Sequence, residues 1–194
     1  MAKQDKELRQ IILEHGHPPL FSRASNFETL IHIILEQQVS LASAKAALVK
    51  LKERIGEVTP RKILWLTDEE LRACYFSRQK TVYARCLANA VVDGELNIES
   101  LSNQTDDTIR TALKKIKGIG DWTVDVFLMM ALNRTDCFPT GDIALMNSIK
   151  QVKQLPKHTT KEEILLLAEN WKPNRTLAAY ILWWDYIKKR NMKW

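Results

Sequence analysis

Apolar residues in this sequence return at every third or fourth position along most of its length, and almost nowhere at every second. The first spacing is the helical repeat; a half-buried strand needs the second. Phe27, Leu30, Ile31, Ile34 and Leu35 are the clearest case, because i, i+3, i+4, i+7 and i+8 share one helix face. The fold class that follows is all-α, about ten helices with short connections.

Polar punctuation predicts where those helices begin and end. Asn26 or Ser25 can cap the helix that starts at Phe27. Ser40 can cap the next, whose apolar line is Leu41, Ala44, Leu48, Leu51 and Ile55, with Gly56 to end it. Thr59-Pro60 reads as an N-cap followed by proline in the first turn. Thr67 with Glu70, and Thr160 with Glu163, have capping-box spacing. A longer helix is predicted from Ser77 to Gly94, another over 106–115, an apolar one over 122–132, and a last one from Pro173 to about Arg190.

With 194 residues the chain can bury one core or two small lobes, but cannot hold a barrel of eight strand–helix units. Breaks at Pro18-Pro19 and over 134–141, where Pro139 and Gly141 interrupt the helical pattern, divide it. The longest apolar runs, such as 126–132, fall short of the ~20 residues of a membrane span, and the polar start lacks the apolar core of a signal peptide. An intracellular protein without membrane attachment is expected. Three cysteines, Cys74, Cys86 and Cys137, exclude a full disulfide framework and are too few for a four-thiolate cluster. His15, His17, His32 and His158 have no metal-ligand spacing. The net charge of +6 suits a nucleic-acid binder, although many basic proteins bind nothing anionic.

The most informative stretch is 113–123, LKKIKGIGDWT. Two glycines flank one apolar residue between two helical patterns, and such a turn needs backbone torsions that glycine reaches cheaply. Ile119 can plug the turn into a core. The amides of Gly118 and Gly120 then lie at the start of a helix, where free N–H groups and the dipole favour an anion, and Lys114, Lys115 and Lys117 add positive charge. This chemistry is a sequence-independent grip on phosphate. The same residues also suit a plain helix–helix turn with solvated lysines. A dinucleotide fingerprint fits worse, since no strand precedes the glycines and Thr123 stands where its third glycine would be sought.

Together with the 136–142 segment DCFPTGD, this hairpin resembles the helix-hairpin-helix glycosylase superfamily, and within it the 3-methyladenine DNA glycosylase II branch. The segments ILEQQVS (34–40) and WKPNR (171–175), the latter leading to Trp183, are similar to the family's early helix pair and closing helix. The resemblance implies two helical lobes with an active-site cleft between them: 26–133 with the hairpin, and 1–25 plus 134–194. The early helix pair starts near residue 26, so the accessory N-terminal β-domain of some relatives is not expected. Asp142 matches the catalytic aspartate, while Trp122 and Trp183 match aromatic positions of the base pocket. Gly118, Gly120, Lys117 and Thr123 match the DNA-gripping turn, and Gln38 matches the residue that wedges into the duplex. The carbonyls of Lys114, Ile116 and Ile119 match positions that hold a monovalent cation, Na+ or K+. No other cofactor is expected.

The implied reaction is hydrolysis of the N-glycosidic bond of an alkylated purine in duplex DNA, by a monomer acting in base excision repair. The base must first be flipped out, at ~ a few kcal/mol. A carboxylate then stabilises oxocarbenium character on the sugar, or orients water. Cationic lesions gain ~0.5–2 kcal/mol on a tryptophan face. Relatives that also cut the backbone carry a lysine directly after the hairpin, to form a Schiff base. Trp122 stands there, so no lyase activity is expected. Some relatives have Tyr where Val126 and Ile143 stand. Asp142 read from sequence alone is a helix cap, a role compatible with catalysis. Asp121, Asp125 and Asp136 read as surface or capping carboxylates, and Trp65, Trp171 and Trp184 as packing or exposed ends. Three rival readings remain: a uracil or thymine mismatch glycosylase of the same fold, a non-catalytic DNA-binding module, and an α-helical protein-interaction scaffold with no salt-dependent affinity for DNA.

Overall fold

The computed structural model describes residues 5–192. Among them are eleven α-helices, two short 3-10 helices (Glu99–Asn103 and Glu169–Trp171) and no strand. The chain divides into two compact units, one of them Arg23–Phe127 and the other made from the described residues up to Ser22 and from Leu128 onward. Both divisions fall earlier than predicted, before Arg23 rather than Asn26 and inside a helix rather than after it. The reason for the second is local: the Tyr180 hydroxyl donates to Met129 O (3.0 Å), and Arg134 N–H donates to Leu128 O (2.9 Å).

The Arg23–Phe127 unit holds α2 (Phe27–Glu36), α3 (Leu41–Ile55), α4 (Pro60–Trp65), α5 (Asp68–Ala73), α6 (Arg78–Val92), α7 (Asp106–Lys114) and the start of α8 (Asp121–Met130). Helix α2 is buried on nearly every side, with Leu30, Ile31, Ile33 and Ile34 fully inside and Thr29 and Glu36 buried with them, which is more than the single apolar face read from its spacing. It packs on α3 and α6, and α4 packs on α6. The predicted caps Asn26, Ser40, Thr59, Thr67 and Ser77 each accept a backbone N–H of the first turn. Helix α6 ends at Val92, and Asp93 rather than Gly94 caps it.

The other unit holds α1 (Lys6–His15), α9 (Ile143–Val152), α10 (Lys161–Ala168) and α11 (Arg175–Lys189). Helix α1 was not predicted. Its short apolar line, Leu8 and Ile11, lies among charges, yet Asp5 caps it and those two residues pack it onto α11. Helix α11 begins at Arg175, two residues after Pro173. Arg175 is held there by Asp136, whose carboxylate accepts Nε–H at 2.8 Å and Nη2–H at 3.0 Å. No helix among the described residues is long and apolar enough to cross a membrane.

Candidate functional site

Asp142 closes the Pro139–Gly141 break and opens α9. Its N–H donates to Pro139 O (2.9 Å), and its extended backbone (φ −84°, ψ 114°) aims the side chain back over the first helical turn. There Oδ1 accepts Leu145 N–H at 2.8 Å, so the capping role read from sequence is present. The same oxygen accepts the indole Nε1–H of Trp183 at 3.0 Å. Donors from two helices thus meet on one carboxylate oxygen, and bonds to a charged group are worth about 1.5–3 kcal/mol each. Asp142 keeps partial exposure.

Trp183 is 8% exposed. Its ring lies nearly parallel to Tyr180 (5.9 Å, 25°) and meets Phe21 edge-on (6.2 Å, 88°). A base pocket wall was expected here. The surroundings offer something else: little of the ring remains for a base to stack on, and its polar edge is given to Asp142. Neighbouring Trp184 turns elsewhere, donating to His15 O (3.0 Å), as a step of about 100° along a helix requires. Trp171 is buried and donates to Asp5 Oδ2 (2.8 Å), whereas Trp65 is exposed. Beside Asp142, Ile143 is 76% exposed, while Val126 is buried in α8.

The hairpin belongs to the Arg23–Phe127 unit. It joins α7 to α8 through 115–120. Ile116 and Ile119 are buried, and Ile119 N–H donates to Ile116 O (3.1 Å), which folds the plug inward. Gly118 has φ 95°, and a β-carbon there would run into the Tyr83 ring of α6. Glycine is required twice over, by torsion and by space. Lys115, Lys117 and Gly120 are exposed, and Trp122 is partly so, in the first turn of α8. In that turn the first amides have no intrahelical acceptor. Lys114 is spoken for by Asp121 (2.6 Å), an exposed pair of small energetic weight.

Two expectations for this unit are corrected. Thr123 is 1% exposed, so its side chain cannot touch DNA; its hydroxyl instead accepts Gln37 Nε2–H (3.0 Å). Asp125 is no surface carboxylate: it is buried and paired with Arg110, tying α8 to α7. Gln38 is exposed in a left-handed conformation (φ 58°), with its side chain outside the core. The residue missed from sequence is Gln37. Its Nε2 also donates to Gly118 O (2.9 Å), which joins the end of α2 to the hairpin. Nothing local in the sequence pairs positions 37 and 118. Asp142 and Trp183 are brought together, as are Gln37, Gly118 and Thr123, each set within its own unit. Among the described residues no cluster of His, Cys, Asp and Glu could hold a metal ion.

Residues 31–173 match the family described as HhH-GPD superfamily base excision DNA repair protein. The chain is 32% identical over 184 residues to the YfjP protein of Bacillus subtilis, covering 91% of this chain and 64% of that protein. It is 34% identical over 161 residues to DNA-3-methyladenine glycosylase 1 of Schizosaccharomyces pombe, covering 81% of this chain and 71% of that enzyme. The solved structure of the Schizosaccharomyces pombe 3-methyladenine DNA glycosylase in complex with abasic DNA superposes with a TM-score of 0.86 at 30% identity, covering 94% of this chain and 92% of that one.

Proposed function

We propose, from the premise that this chain belongs to the HhH-GPD superfamily of base excision DNA repair proteins, that it is a monofunctional DNA glycosylase releasing alkylated purines of the 3-methyladenine and 7-methylguanine class from duplex DNA. The observation that carries this reading is the carboxylate of Asp142, partly exposed and oriented by Leu145 N–H and Trp183 Nε1–H. Glycosidic cleavage builds positive charge on the sugar, and a fixed anion stabilises that charge without reorganising, or holds water in line for attack. Alkylated purines are already cationic leaving groups, so a general acid is dispensable. The exposed Gly120 at the head of α8, with the exposed Lys115 and Lys117 of the turn before it, suits a phosphate. Trp122 remains the aromatic candidate for stacking on a cationic base.

Trp122 occupies the position directly after the hairpin, where a lyase would carry its amine, which supports hydrolysis without strand cutting. The hairpin carbonyls of Lys114, Ile116 and Ile119 would hold a monovalent cation. They flank the reversal at Gly118, and the Ile119 N–H takes only one of the two lone pairs of Ile116 O. Such an ion would add positive charge beside the phosphate. The protein would act on cellular DNA as a monomer.

The test is an excision assay over duplexes carrying 3-methyladenine, 7-methylguanine or uracil, with Asp142→Asn as control. Methylpurine release that Asp142→Asn abolishes, with DNA binding kept, is the expected result. Release of uracil alone, or methylpurine release undiminished in Asp142→Asn, contradicts the reading. Borohydride treatment on abasic DNA should trap no covalent complex.

A further inference from the structure

Gln37 ends α2, and its side chain leaves that helix for a turn 81 residues away in the chain. A primary amide nitrogen carries two protons, and both are used here: one on Gly118 O (2.9 Å), the other on Thr123 Oγ1 (3.0 Å). These acceptors bracket the part of the hairpin that faces outward. Gly118 makes the left-handed reversal, Thr123 lies in the first turn of α8, and the exposed Gly120 sits between them. Fixing the two ends fixes the direction of the amides in between.

The anchor itself is firmly held. Lys80 Nζ donates to Leu35 O (2.6 Å), and burial pushes the ammonium below its usual range. The buried Glu36 takes a two-pronged bond from Arg23 (2.9 and 2.6 Å). Under the turn, the Tyr83 ring fills the space where Gly118 has no side chain, and Gln79 Nε2 donates to the Tyr83 hydroxyl. Only a neutral side chain of this length with a two-proton nitrogen satisfies both acceptors. Glutamate would set a carboxylate against a carbonyl oxygen, and methionine would leave both acceptors unbonded.

We propose that Gln37 is a positioning residue for DNA: it touches no phosphate, but its carboxamide holds the hairpin in the conformation that grips one, and the buried Thr123 acts through it. This rests on reading the hairpin as a phosphate grip.

Gln37→Met keeps length and volume and removes both donors. Its dissociation constant for a duplex with a stable abasic-site analogue should rise about tenfold. The excision rate at saturating protein should stay within about threefold of wild type, because no reacting atom is touched. The slope of log affinity against log salt should not change, because no charge is removed. Thr123→Val should weaken binding about threefold in wild type and not at all in the Gln37→Met background. A structural role alone would lower the melting temperature without this split between affinity and rate. Wild-type affinity in Gln37→Met, or an additive double variant, overturns the clamp alone. Wild-type protein that neither binds nor excises overturns the underlying reading and the clamp with it. If Gln37→Met does not fold, Thr123→Val decides alone, and wild-type affinity there overturns the proposal.

Discussion

Asp142 has two jobs that one geometry serves. As the N-cap of α9 it satisfies Leu145 N–H, and that bond, with the one from Trp183, removes the rotational freedom of its carboxylate. Trp183→Phe tests the second bond. Phenylalanine keeps an aromatic ring against Tyr180 but has no N–H. The single-turnover excision rate is expected to fall roughly tenfold or more, while affinity for lesion DNA changes little. Affinity lost with the rate unchanged would assign the ring to the base instead. The capping half of this arrangement was legible, since an Asp after Thr-Gly and before an apolar segment is a helix start. The indole half was not. Trp183 is 41 residues away, and which edge it offers depends on how α11 is rotated against Phe21 and Tyr180.

At the scale of elements, the hairpin works as two helices locked at both ends. Near the turn the lock is Gly118 against Tyr83 and Gln37; further down it is the Arg110–Asp125 pair. Gly118→Ala places a β-carbon at φ 95° and against the Tyr83 ring, so the turn must rearrange. A destabilisation of about 2 kcal/mol or more is expected, with loss of DNA affinity out of proportion to it; thermal melting and a binding titration would read the two. Asp125→Asn removes the carboxylate charge with which α8 pairs Arg110 of α7. Because Arg110 is 30% exposed, the cost should lie near 2 kcal/mol, below that of a fully buried broken pair. The two glycines and the apolar plug announced the turn in the sequence. The Asp125 pair was hidden, because a lone Asp on a helix gives no sign of whether its face is solvated.

At the scale of the whole molecule, acid sensitivity should come mainly from the unit that holds α1, α9, α10 and α11. Burial works against ionisation of Asp5, but bonds from Lys153, Leu8 N–H and Trp171 outweigh it and hold the carboxyl below its ordinary value of 3.8. Asp136 is likewise desolvated and likewise held low, by Arg175. A depressed carboxyl contributes stability above its unfolded pKa and loses it as pH falls through the folded one. The melting temperature should therefore drop as pH falls below about 4, and Asp5→Asn should lower it at pH 7 while flattening that drop; an unchanged pH profile would contradict this. Helix content, most caps and the hairpin could be read directly from the order of residues, because helical periodicity, capping and turn chemistry act over three or four positions. Helix α1, whose apolar line is too short to stand out, the burial of Thr123, and the partnerships of Gln37 with Gly118 and Trp183 with Asp142 could not. Each depends on which faces of distant helices meet, and that is settled by packing the apolar residues of the entire unit at once rather than by any neighbour along the chain.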